Sequence, residues 1–318
     1  MPAVVARAVS PEPLWGRASA LVEGSFARPL PVPGGGFAFT RTSLLFDQSE
    51  PLPHVHHIMR VDQDGFRDLT VGRSRNLSGR GFSGPEHSFG ALPSDDGFIT
   101  VMLAAETQVV RKIGAAGETI WRQVELPPES QLALGMVRLD SGFALLTSSQ
   151  LPQDALGTTQ WLLWFDAEGN VTGRMAPPYY GSNVRPSMLG LSGGRVALAG
   201  VITSFDASLR AAHQFVDLVV LRLAADASLS GHRVLNESPL TPFVLGMAVD
   251  VEDTVYVTSV TGTRQTPRGL ICALPDQGDG TCYLAPDGVS PLAISAPAPR
   301  FLYALSDEAL VKLELPAP

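Results

Sequence analysis

Lysine is almost missing from this chain: Lys112 and Lys312 are the only two in 318 residues, and the formal net charge is -8. No basic run exists that could neutralise a row of phosphates, which argues against nucleic acid as a partner. Long hydrophobic runs are missing as well, since no stretch approaches the roughly 18 consecutive apolar residues of a membrane helix. The start MPAVVARAVSPEP lacks the apolar h-region of a signal peptide. Taken as it stands the sequence is expected to be cytoplasmic, and a mature chain whose signal had been removed would read the same way. Charged residues are few, at 17% against about 25% in an average soluble protein. P-loops and dinucleotide fingerprints following a strand are not found, no serine-hydrolase elbow is expected, and no specific reaction or cofactor is implied.

What is present is apolar and punctuated. Hydrophobic residues make up 45% of the chain, and 31 Gly and 26 Pro lie between apolar segments, the distribution of many short strands joined by tight turns. The segments repeat. A β-rich strand with a following turn recurs in IMRVDQDG ending at Gly65, VRKIGAAG at Gly117, LLWFDAEG at Gly169, VLRLAADA at Ala227 and ICALPDQG at Gly278, with spacings of 52, 52, 58 and 51 residues. A second strand follows a turn in six places, at Phe37, Phe98, Phe143, Val196, Val255 and Phe301.

Another strand precedes each of these and carries a small residue between two apolar ones: Phe89-Gly90-Ala91, Leu134-Gly135-Met136, Leu189-Gly190-Leu191, Leu245-Gly246-Met247 and Leu292-Ala293-Ile294, with Leu30-Pro31-Val32 as the departure. Strands that converge on a common axis need such a gap so that backbones can approach. Two packed β-sandwiches also have short strands with frequent turns, but they would not repeat the small inner residue. These repeats resemble the broad superfamily of β-propellers with D-x-x-G turns, such as YVTN, NHL and PQQ-type repeats. The resemblance implies an all-β, six-bladed β-propeller of four-stranded antiparallel blades. The tryptophan ring of PQQ-type blades is missing from a chain with four Trp, so a quinone is not implied. Residues 1–12 are expected to be a flexible N-terminal segment and 13–318 the single domain. The last unit ends on its third strand, EALVKLELPAP, so an N-terminal strand is expected to join the last blade. Residues 13–22 are expected to pair with 309–315.

Connections within and between the units alternate between two ends. One set is short; the other includes residues 41–55, 72–88, 147–160, 176–187, 203–216 and 260–268. Long loops on a compact domain carry function more often than short ones, so any site is expected on the long-loop face. The 203–216 loop, SFDASLRAAHQFVD, reads as a short helix capped by Ser204 or Asp206. For a small ligand the candidate binding residues are Arg185, Tyr180, Asn183, His87 and Arg264, beside His54 and His56. Amphipathic rings, an amide and a guanidinium suit an anionic, carbohydrate or peptide ligand.

His54, His56 and His87 could supply three nitrogens to a metal such as zinc; the simpler reading is loop histidines hydrogen-bonded to backbone or solvent. DQDG at Asp62–Gly65 is a strand turn rather than a calcium loop, whose other ligands are absent. Glu86, Glu129, Glu237 and Asp287 each precede an inner strand, where a converging pair could do acid/base work. Two readings follow: a binding or scaffold propeller recognising protein, glycan or a small anionic ligand, and a propeller enzyme of lyase or hydrolase type at the channel mouth. Cys272 and Cys282 lie symmetrically about Gln277–Gly278, so they are predicted to face each other across a hairpin. A bond between them would imply an oxidising compartment; the alternative is two reduced small apolar residues.

Overall fold

The computed structural model describes residues 4–5, 7–12, 30–31, 37–44, 54–62, 65–74, 91–94, 97–104, 107–114, 119–123, 132–148, 160–177, 187–203, 216–226, 229–235, 244–262, 267–286, 293–305 and 310–316. They are all-β apart from one short 3-10 segment, Ser192–Gly194. Two N-terminal strands, β1 (Val4–Val5) and β2 (Arg7–Glu12), precede six successive sheets. Sheet I holds β3 (Leu30–Pro31), β4 (Phe37–Leu44), β5 (His54–Asp62) and β6 (Gly65–Ser74). Sheet II holds β7 (Ala91–Ser94), β8 (Gly97–Ala104), β9 (Thr107–Gly114) and β10 (Thr119–Gln123). Sheet III holds β11 (Leu132–Leu139), β12 (Gly142–Ser148), β13 (Gln160–Asp166) and β14 (Val171–Met175). Sheet IV holds β15 (Ser187–Gly190), β16 (Val196–Thr203), β17 (Val216–Leu223) and β18 (Leu229–Leu235). Sheet V holds β19 (Gly246–Val249), β20 (Val255–Gly262), β21 (Pro267–Leu274) and β22 (Thr281–Leu284). Sheet VI holds β23 (Ala293–Ala298), β24 (Phe301–Leu305) and β25 (Leu310–Glu314). Each sheet is an antiparallel meander in chain order, and β1 and β2 add to the outer edges of sheets V and VI. The architecture is all-β, multi-sheet and broadly propeller-like.

The repeat units seen in the sequence coincide with these sheets because the side chains alternate faces along each strand. In sheet III, Leu163 and Phe165 pack with Leu92, Ile99, Val101 and Val110 of sheet II, while Leu162 and Trp164 pack with Met188, Leu198 and Leu221 of sheet IV. Sheets IV and V share a third layer, including Leu189, Val220, Val257 and Leu274, and sheets V and VI a fourth, including Tyr256, Ile271, Leu302 and Leu313. Sheets III, IV and V are therefore apolar on both faces.

At Gly190 the small residue of the repeat leaves room for a neighbouring backbone. A Cβ at Gly190 would run into the carbonyl oxygen of Arg138 on the neighbouring inner strand β11, so only a missing side chain lets the two backbones approach. Gly169 closes the D-x-x-G turn of sheet III: its N–H donates to the Asp166 carbonyl at 3.2 Å. Its φ of +85° is left-handed, and a Cβ there would meet the Trp121 ring at 2.7–2.9 Å.

Several expectations are corrected. The strand that completes sheet VI is Arg7–Glu12, pairing from Arg7↔Glu314 to Glu12↔Leu310, not residues 13–22, which lie outside the described residues. Pro11 makes this segment a poor strand by propensity, but at a sheet edge a missing N–H costs no ladder bond. The long connections are shorter than expected because pairing runs on into them, as at Thr261↔Arg268 and Gly262↔Pro267, which leaves only 263–266 between β20 and β21. His54, His56 and His57 are strand residues of β5 rather than loop residues, opposite Leu44, Thr42 and Arg41. Residues 204–215, expected as a short helix, lie outside the described residues. Cys272 and Cys282 face each other on β21 and β22 and form a disulfide. Asp62 and Gly65 are paired across a two-residue turn, as a strand turn requires.

Candidate functional site

The best-defined polar constellation lies where the short turns of sheets III to VI meet. The turn between β15 and β16 is its centre. On one side the Gly193 N–H donates to Asp140 of the β11–β12 turn at 3.0 Å. On the other, the backbone N–H and the hydroxyl of Ser192 both donate to Asp253 of the β19–β20 turn. Arg195 then bridges two carboxylates, Asp253 at 2.7 Å and Asp276 of the β21–β22 turn at 2.9 Å. Arg222 is fully buried beneath, donating to the Leu274 carbonyl at 2.6 Å and forming an ion pair with Asp276 at 3.4 Å. One further turn joins through Tyr256, whose hydroxyl donates to Asp250 at 2.9 Å and accepts from the Arg300 N–H at 3.0 Å.

The titration tendencies follow from these contacts. Burial acts to raise the Asp253 carboxyl, but the bonds from Ser192 and Arg195 outweigh it and hold Asp253 below the usual carboxylate range. Burial opposes the charge on Arg195, yet Asp276 and Asp253 hold its pKa above the ordinary guanidinium value. Burial pushes the Tyr256 phenol up, and the neighbouring Asp250 pushes it further. Each group is thus fixed in one protonation state near neutrality. A lowered carboxylate is a poor general base, and the arginine is a permanent cation.

One string here matches a catalytic pattern letter by letter, contrary to expectation: Gly190-Leu191-Ser192-Gly193-Gly194 fits G-x-S-x-G. A nucleophile elbow needs a strand–turn–helix and a histidine on the serine. Here the turn runs from strand to strand, and the Ser192 hydroxyl donates to Asp253. The constellation ties sheets together and does not activate a nucleophile.

Among the ligand candidates, His54 and His56 are placed by their backbone at the start of β5, beside the 45–53 connection. A pairing irregularity follows between His56 and His57. Tyr180, Asn183, Arg185, His87 and Arg264 lie outside the described residues, as do Glu86, Glu129, Glu237 and Asp287. Among the described residues no group of three or more His, Cys, Asp or Glu could hold a metal ion, and no helix is long and apolar enough to cross a membrane. The short-turn constellation escaped the sequence reading because its partners come from five turns, up to 81 residues apart in Arg195 and Asp276.

No protein-family model matches the chain, and no curated protein matches it by sequence. Among solved structures it is similar to the PQQ-bound form of aldose sugar dehydrogenase from Streptomyces coelicolor, at 14% identity over 97% of this chain and 96% of that chain, with a TM-score of 0.44. It is also similar to the Penicillium chrysogenum alpha-L-arabinanase complexed with arabinobiose, at 13% identity over 99% and 98%, TM-score 0.47. A third is BBS1N in complex with ARL6DN, at 12% identity over 99% and 98%, TM-score 0.38. These likenesses concern the all-β, propeller-like fold alone.

Proposed function

We propose that the chain is a six-bladed propeller of four-stranded blades, a single domain closed by its N-terminal strand, that serves as a recognition module. Its binding surface is the face built from the long connections, and its ligand is a protein, a glycan or a small anionic molecule. One observation carries this: the two ends of the sheets are built differently. The hydrogen bonds among Asp140, Gly193, Ser192, Asp253, Tyr256 and Arg300 gather the short turns of sheets III to VI on one face. Antiparallel pairing then puts the strand ends that flank 149–159, 204–215 and 236–243 at the opposite end of the sheets. On the short-turn face Asp140, Ser192, Arg195, Asp253 and Asp276 are spent on one another, which leaves them less to offer a ligand. Long connections have room for one.

On that face Arg185 is the proposed anchor, with Tyr180, Asn183, His87, His54, His56 and Arg264 around it. A guanidinium gives bidentate recognition of a carboxylate or phosphate. The Cys272–Cys282 bond supports an extracytoplasmic setting, where disulfides persist.

Thermal-shift screening of wild type and Arg185→Ala against sugars, sugar acids and phosphorylated compounds tests the reading. A ligand that stabilises the wild type should lose about 1.5–3 kcal/mol of binding in the variant if the bond is charge-assisted. Equal shifts in both proteins would remove Arg185 as anchor and leave the face as a protein-binding surface.

A further inference from the structure

We infer that Asn170 is an N-glycosylation site, and that the chain carries a glycan at the outer edge of sheet III. Only four asparagines occur in the 318 residues, Asn76, Asn170, Asn183 and Asn236. Three of them open an Asn-x-Ser/Thr triplet: Asn76-Leu77-Ser78, Asn170-Val171-Thr172 and Asn236-Glu237-Ser238. Such a triplet is the acceptor motif for N-linked sugar. Ser and Thr make up roughly one residue in seven of the chain, so by chance fewer than one of the four asparagines would have either of them two places on. Asn76 and Asn236 lie outside the described residues, and the assignment is to Asn170.

Asn170 stands in the turn between β13 and β14, and Asn170, Val171 and Thr172 are all exposed. β14 is the outermost strand of sheet III. The side-chain amide has two hydrogens. One is spent on Asp166, whose carboxylate accepts from Asn170 Nδ2 at 2.9 Å and from the Asn170 backbone N–H at 2.8 Å. The other can be replaced by a sugar without losing that bond. In the transfer, Nδ2 bonds to the anomeric carbon of an oligosaccharide carried on a polyprenyl diphosphate. The bond from that carbon to the diphosphate oxygen breaks, polyprenyl diphosphate leaves and one amide proton is released; nothing is oxidised or reduced. The glycan would also screen Val171, 45% exposed, and the edge of β14 against pairing with another chain, a hazard that edge strands have to manage. This rests on the extracytoplasmic setting that the Cys272–Cys282 bond supports, and on no residue of the long-connection face.

The test is mass spectrometry of the full chain recovered from its own source, digested with trypsin so that residues 139–174 form one peptide and 269–300 another. The first should carry a hexose- or hexosamine-containing mass that fragmentation places on Asn170, and the second should hold Cys272 and Cys282 as a disulfide. Expressed again in the same cells, the chain should lose that mass with Thr172→Ala, which leaves Asn170 and its bonds to Asp166 in place, and keep it with Thr172→Ser. Unmodified Asn170 beside an intact disulfide overturns the site alone. Unmodified Asn170 beside two free thiols overturns the extracytoplasmic setting as well. A sugar mass that persists in Thr172→Ala, or that falls on another residue of the peptide, also overturns the assignment.

Discussion

Replacing Asp276 by alanine removes the carboxylate shared by two arginines of the neighbouring sheet. Arg222 is the costly one, because it is 1% exposed and keeps its bond to the Leu274 carbonyl when Asp276 is gone. Breaking a buried ion pair from one side typically costs about 3–5 kcal/mol. Asp276 is itself 30% exposed, so water screens part of the loss and a value of about 2–3 kcal/mol is expected. Arg195 retains Asp253 at 2.7 Å and adds about 0.5 kcal/mol, as surface pairs do. With an unfolding entropy of about 2.1 cal/mol/K per residue, roughly 0.67 kcal/mol/K for 318 residues, the total of about 3 kcal/mol lowers Tm by about 4–5 °C. Calorimetry on wild type, Asp276→Ala, Arg222→Leu and the double variant gives the coupling between the pair, expected at about 1.5–2.5 kcal/mol. A Tm drop under about 1 °C, or one that vanishes in 0.5 M salt as a screened surface pair would, refutes the view that this pair holds sheets IV and V together.

Cutting the Cys272–Cys282 bond by a double alanine substitution frees a loop with a sequence separation of 10 and should cost about 2.7 kcal/mol on the loop-entropy estimate. Denaturant midpoints measure it, and both thiols of the native wild type should resist alkylation until a reductant and denaturant are added. Gly169→Ala forces a side chain into a left-handed φ and against the Trp121 ring; a loss of about 2–3 kcal/mol is expected, with a tryptophan fluorescence change that Glu168→Ala would not give. Asp253 has a depressed pKa in the folded chain, so its contribution is present above the ordinary carboxylate value near 3.9 and is lost as pH falls through the folded value. Urea midpoints should therefore be flat from pH 7 to 5 and fall below about pH 4, and Asp253→Asn should blunt that acid limb; an identical limb would rule Asp253 out as its source.

The unit boundaries were legible because they rest on local physics. A turn that needs φ > 0 selects glycine, as at Gly169 and Gly278, and an inner strand pressed against its neighbour excludes a side chain, as at Gly190. The cysteine pairing was legible for a similar reason, since two residues symmetric about a hairpin turn must lie opposite. Strand ends were not, because Thr261, Gly262 and His54 enter the ladder through pairing partners rather than through their own propensity. Arg7–Glu12 was missed on the same ground: its strand character comes from the free edge of β25, at the far end of the chain.

The contacts between sheets were the least legible, and one rung of the ladder shows why. Ala144 pairs with Trp164 in sheet III, Ala197 with Arg222 in sheet IV, and Ala273 with Tyr256 in sheet V. Each rung joins one small and one large residue, but the large one moves from the third strand to the second in sheet V. Their polar tips do the same thing three times: the Trp164 indole N–H donates to Gly194 of sheet IV, Arg222 to Leu274 of sheet V, and the Tyr256 hydroxyl accepts from Arg300 of sheet VI. An indole, a guanidinium and a phenol share no residue-level signature, so a repeat defined by identities hides them. What is repeated is a length and a polar end, enough to cross one layer of side chains and satisfy a backbone group in the next sheet. Selection on that geometry leaves residue type free as long as reach and hydrogen-bonding capacity are kept.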